Sequence, residues 1–235
     1  MRNKRLKTNS SESEDYLEEV KEVMRKNDKF LLENGKEYLK TIFFFVSVDV
    51  IDYVTQTTSL PNLKKHYQNW AMYAYIFHVL QPVSYGILID LLVGNLPNCF
   101  FGLRVLLETL AKSYYADAKY PSHLYFEQKL QLLEIDLKKK TISEMMKEVD
   151  DLLMLKNKCY SIWNEISSKW IHSKGLINRI TSQIAKKGDV PAWALIVPCP
   201  YNKNDLSEIA NFYRVFSDFK KINKEAIESW KSFLN

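Results

Sequence analysis

Apolar residues recur at three- and four-residue steps along most of the chain, the spacing that puts them on one face of an α-helix. Tyr16, Val20, Val23, Met24, Phe30, Leu31 and Leu39 form the first stripe, opened by the capping-box pattern Ser11-x-x-Glu14. Gly35 marks a bend, and the stripe resumes through Tyr38, Ile42, Phe45 and Val46 toward Val54 until Pro61 ends it. The spacing predicts helices over 62–80 and 83–94, divided by a break or kink at Pro82. Another runs over 99–118, closed near Pro121, and is apolar on nearly every side. A helix over 122–140 ends in Lys138, Lys139 and Lys140, where positive charge complements the C-terminal dipole. Thr141-x-x-Glu144 then opens a pattern that reaches His172, as one long helix or two, with Gly175 as its stop. Asp205-x-x-Glu208 opens the last helix, whose stripe is Ile209, Phe212, Tyr213, Phe216, Phe219 and Ile222. Only the stretch near 189–202 reads as extended, and Pro198 and Pro200 bar it from the middle of a sheet. These elements predict an all-α fold, a multi-helix bundle with one short proline-rich extended segment. Residues 1–10 read as a disordered tail and 11–235 as a single helical domain.

Composition narrows the function classes. Hydrophobic residues make up 46% and charged ones 26%, as in globular domains. The 6 glycines include no G-x-G or G-x-x-x-x-G-K, which excludes the usual dinucleotide and P-loop cradles. The formal charge of +5 depends heavily on Arg2, Lys4, Arg5 and Lys7, so the body is almost neutral and the tail reads as solvated. Cys99, Cys159 and Cys199 are odd in number and show no C-x-x-C, which argues against a disulfide framework. With no apolar leader before the acidic residues of the first helix, the expectation is a cytoplasmic protein. Between His66 and Leu103 the only charged residue is Asp90, yet Gln68, Asn69, His78, Gln81, Asn95 and Asn98 interrupt the stretch. Buried core helices, rather than a membrane hairpin, are therefore expected there. No metal or cofactor is expected either, since His66, His78 and His123 lack metal-ligand spacing.

Two polar constellations stand out on the helices. Arg104, Glu108 and Lys112 share one face of the apolar helix, where the Glu would hold the guanidinium while the Arg fixes a phosphate or carboxylate. An exposed structural ion pair is the plainer alternative. Ser161, Glu165, Ser168 and His172 share a second face, and His172 and Glu165 are the acid–base candidates. Arg104, Glu108, Ser168 and His172 together form the candidate ligand set, with Trp193 on the proline-rich segment as a candidate lid. Aromatics such as Trp70, Tyr73, Tyr114, Tyr115 and Trp163 read as core.

Gly102-Leu103-Arg104-Val105-Leu106-Leu107-Glu108, then Tyr114-Tyr115, then Trp163 with Ser167, Trp170, His172 and Ser173, form an ordered pattern. It resembles the prokaryotic helical proteins of the HEPN-like and abortive-infection-like group, which pair an R-x-x-x-E helix with a later W-x-x-x-S-x-x-x-x-H segment. The resemblance covers roughly 87–173. It implies a helical bundle, often dimeric, with RNA-directed roles in defence or toxin–antitoxin settings. The chain departs at the ribonuclease motif R-x(4–6)-H, since no Arg stands four to six residues before any His. The expected partners are thus nucleic acid or a second copy of the chain, the latter through an amphipathic helix within 11–58 or 205–234. No reaction is assigned.

Overall fold

The computed structural model describes residues 9–171 and 198–234, and among them every regular element is helical. Helix α1 spans Asn9–Asn34, so Asn9 and Ser10 are already helical and Ser11 is not its first residue. Gly35 divides it from α2, Lys36–Phe44, as the pattern predicts. A π turn at Phe45–Asp49 carries α2 into α3, Val50–Ser59, and the stripe Leu39, Ile42, Phe45, Val46, Val50 and Tyr53 is buried throughout.

The expected helix over 62–80 is instead broken at Trp70. Pro61 opens the short α4, Pro61–His66, a position where its missing N–H costs nothing. After a single 3-10 turn, α5 begins afresh at Ala71–Tyr75. Its first two amides are capped from far along the chain, because Ala71 N donates to Asp117 Oδ1 and Met72 N to Asp117 Oδ2, at 3.0 and 2.9 Å. Pro82, expected to break or kink the chain, is carried within a continuous helical run. The π turn Ile76–Leu80 immediately precedes α6, Gln81–Leu92, and the wider turn accommodates a ring that would collide with the carbonyl four residues back.

Among the described residues, the combined run Ala71–Leu92 is the one helix long and apolar enough to cross a membrane, with a mean hydropathy of 1.4. Only 33% of that window is buried. Met72, Tyr75, Ile76, Leu80, Ile87 and Leu91 face inward, whereas Tyr85 and Ile89 lie exposed. The expected core helix therefore buries one side only.

Helix α7, Leu96–Lys119, is the axis. It packs against α5, α6, α8 (Phe126–Leu137), α9 (Ile142–Leu152), α10 (Lys158–Ile166) and α11 (Leu206–Lys231). Cys99, Phe100, Leu103, Leu106, Leu107, Leu110 and Ala111 are each 1% exposed or less, whereas Phe101, also apolar, is 52% exposed, so the helix is buried on most but not all of its faces. Phe100 is sandwiched between Trp170, stacked at 3.8 Å, and the edge of Phe212 at 5.1 Å. The predicted pattern over 142–172 resolves into two helices. The intervening turn holds Met154, Lys156 and Asn157 at positive φ, and Asp150 accepts from Cys159 N and Tyr160 N to start α10. Thr141 and Glu144 close both arms of the predicted box at the start of α9. For α11 the cap lies three residues earlier than expected, where Asn202 and Asp205 exchange bonds around a 3-10 turn.

Two buried polar groups tie the layers together. Asn27 on α1, fully buried, donates from Nδ2 to Leu92 O and Cys199 O and accepts from Tyr201 N. It clamps the 199–201 backbone against the α6–α7 turn, where Cys199 N also donates to Val93 O. Gly94 sits in that turn at φ +80, and a Cβ there would stand 2.0 Å from Cys199 O, so only glycine fits. The second group is Lys129, whose ammonium reaches Asp117 at 2.9 Å with both side chains wholly enclosed, and lies 4.6 Å from the Trp70 ring centre.

Candidate anion-binding site

Arg104, Glu108 and Lys112 lie at four-residue steps on α7 and form the polar stripe of an otherwise apolar helix. Arg104 Nε donates to Glu108 Oε1 at 2.7 Å, and each side chain is 19% exposed. The pair is therefore half-buried rather than set on an open helix edge. Helix α10 crosses α7 at this level, and Trp163 Nε1 donates to the same Glu108 Oε1 at 2.7 Å. The guanidinium carbon stands 5.6 Å from the centre of the Trp163 ring, within cation–π range. Two donors thus fix Glu108, which in turn fixes Arg104 by its Nε. Among the described residues no group accepts from the two Nη atoms. A planar guanidinium held in this way offers a pair of N–H groups to one oxyanion, the geometry suited to phosphate or carboxylate.

The second constellation separates. Glu165 lies two residues beyond Trp163 and points elsewhere, toward α11, where Arg214 Nη2 reaches both carboxylate oxygens at 2.6 Å and Lys169 reaches Oε1 at 3.1 Å. Burial pulls the Glu165 carboxyl up, but Arg214 and Lys169 outweigh it and leave it below the usual glutamate value. Such a carboxylate is ionised, charge-neutralised and a poor base. Its place is an interhelical bridge from α10 to α11. Ser168 is exposed, and its hydroxyl donates to the Glu165 carbonyl at 3.3 Å. Of the candidate ligand set, Arg104 and Glu108 come together, with Trp163 as the partner that sequence reasoning left in the core. His172 and Trp193 lie outside the described residues. Helix α10 continues into a π turn at Ser167–Ile171.

A second polar cluster lies toward the C-terminal end of α7. The Tyr115 hydroxyl accepts from Lys119 Nζ at 2.6 Å and from Lys140 Nζ at 2.8 Å, and Lys140 also reaches Glu148 Oε1 at 2.6 Å. Asp136 accepts from Lys119 and Tyr120. Helix α8 ends at Leu137, so the lysine run lies beyond it, and Lys140 turns inward instead of complementing a helix dipole. The Asp136 hydrogen bond, and then that of Tyr115, push the Lys119 ammonium above the usual lysine value. The Lys140 hydrogen bond holds the Glu148 carboxyl down. Lys119 is therefore an ammonium and Glu148 a carboxylate near neutrality.

Cys99 and Cys159 are buried free thiols, and Cys199 is partly exposed. Among the described residues no three His, Cys, Asp or Glu side chains gather as a metal site would need. Comparison with protein-family models, with curated proteins and with solved structures returned no match.

Proposed function

We propose that the chain is a nucleic-acid-associated helical protein that holds a phosphate of RNA on the Nη edge of Arg104. One observation carries this reading: Arg104 is anchored by Nε to a doubly held Glu108 while its terminal nitrogens have no acceptor among the described residues. A guanidinium already oriented loses little freedom on binding, so more of the charge-assisted hydrogen bonding appears as affinity. Resemblance to HEPN-like proteins favours RNA over other polyanions and suggests a defence or toxin–antitoxin setting. The missing R-x(4–6)-H pattern favours binding over cleavage.

The test is fluorescence anisotropy of a labelled single-stranded RNA with the full chain at about 50 and 200 mM salt, with duplex DNA as competitor. Binding that weakens with salt and falls in Arg104→Ala, at an unchanged melting temperature, supports the proposal. No binding at low salt, or full retention of binding in Arg104→Ala, overturns it. Deleting residues 1–8 separates the tail from the body.

A second reading, homodimerisation, draws on the exposed apolar residues Tyr85 and Ile89 of α6 and Phe101 of α7. The stripe of α11, expected as a partner face, is unsuited because Ile209, Phe212, Phe216, Phe219 and Ile222 fill the core. Light scattering that finds only monomer up to about 100 µM removes this reading, since obligate dimers dissociate far below that concentration.

A further inference from the structure

A cavity of about 490 Å³ opens beside α7 and α9, lined by Tyr115, Ala118, Lys119, Glu148, Asp151 and Leu152. Its size falls in the range of small-molecule sites, and its walls divide by chemistry. Ala118 and the half-exposed Leu152 supply apolar surface. The polar groups differ in how much of their hydrogen-bonding capacity is already engaged. Tyr115 accepts from two ammonium groups, and Glu148 is engaged by Lys140. Lys119 has donated two of its three N–H groups, to Tyr115 and Asp136. Asp151 has neither a hydrogen bond nor an ion pair to its carboxylate among the described residues. What remains for a ligand is one N–H of the Lys119 ammonium and the carboxylate of Asp151, both on the cavity wall. Asp151 stands three residues beyond Glu148 on α9, roughly 4.5 Å further along the helix axis.

We propose that this cavity binds a small zwitterion of the ω-amino-acid type. The ligand's carboxylate meets Lys119, its ammonium meets Asp151, and its alkyl chain lies against Ala118 and Leu152. A ligand with one charge satisfies only half of the site. The inference does not depend on the Arg104 reading, since the two sites share no residue.

Isothermal calorimetry with 6-aminohexanoate, hexanoate and hexylamine on the full chain tests it. The zwitterion is expected to bind at or below about 10 mM, each singly charged analogue about tenfold more weakly, and Asp151→Asn to lose about tenfold for the zwitterion alone. Because the Asp151 side chain supports no other group, the melting temperature of unliganded Asp151→Asn should match the parent. Lys119→Met, checked for folding by circular dichroism, should lose the zwitterion while retaining its weak affinity for hexylamine. No heat from 6-aminohexanoate, equal binding of the three compounds, or unchanged binding in Asp151→Asn overturns the proposal.

Discussion

Replacing Trp163 with Phe keeps an aromatic ring beside Arg104 and deletes the single N–H given to Glu108 Oε1. A hydrogen bond to a charged acceptor contributes about 1.5–3 kcal/mol when its partner stays behind. Water reaches Glu108, whose side chain is 19% exposed, and replaces part of that bond, so a loss of about 1–2 kcal/mol is expected. Glu108→Gln removes the charge both donors share, and the double variant should then lose less than the two single losses added together. The difference, a coupling of about 1 kcal/mol, belongs to the Trp163–Glu108 bond. Urea denaturation of the four proteins, followed by circular dichroism, measures it. A parallel RNA titration should show Glu108→Gln weakening binding through a guanidinium no longer held in place. Arg104→Lys should fail to restore what Arg104→Ala loses, because an ammonium has no planar edge. A coupling below about 0.3 kcal/mol, within the scatter of independent sites, would refute the idea that Trp163 holds Glu108 and, through it, Arg104.

Three further outcomes follow from the packing. Asn27→Asp removes both bonds donated to Leu92 O and Cys199 O and turns a carboxylate toward two carbonyl oxygens. Its folded pKa should rise, so stability falls as pH climbs through it. The deficit should reach about 3 kcal/mol in neutral urea melts and narrow in acid. Gly94→Ala combines a φ of +80 with a Cβ 2.0 Å from Cys199 O, and thermal melting should show a loss above about 2 kcal/mol. An unchanged melting temperature would mean the 199–201 backbone can retreat from the turn. Glu165, held below its usual value of 4.5, contributes stability that is present above that pH and lost as pH falls through the lower folded value. Between about pH 6 and pH 3 the parent should therefore lose more stability than Glu165→Gln, and parallel curves would show that the Arg214 bridge contributes nothing.

Local chemistry was legible wherever the deciding residues were neighbours in sequence. The all-round apolar character of α7 announced its central place, Gly35 its break, and Thr141 with Glu144 the start of α9. Long-range partners decided the rest. Trp70 carries no breaking signal of its own, and α5 restarts after it because Asp117, 46 residues beyond Ala71, caps its amides. Pro82 carries a breaking signal that the preceding π turn absorbs. At the site, the spacing placed Arg104 and Glu108 on one face, and the structure brings them together. Trp163 stands 55 residues from Glu108, and only the crossing of α7 and α10 joins them. Glu165 shared a helical face with Ser168 in the sequence pattern, yet Arg214 on another helix determines its chemistry.

The caps of α5 and α10 have a kinetic consequence. Helix α10 is too short to persist alone in water, and α5 is the opening turn of the run Ala71–Leu92. Each takes its terminal hydrogen bonds from a carboxylate on a different element, Asp117 for one and Asp150 for the other. Neither first turn can fray independently while its acceptor carboxylate stays in place, and neither is completed before that carboxylate arrives. The amides of Ala71, Met72, Cys159 and Tyr160 should accordingly exchange with deuterium only as fast as the whole domain opens. At an ordinary helix end the first turn is the earliest to exchange, whereas here it becomes a reporter of global unfolding.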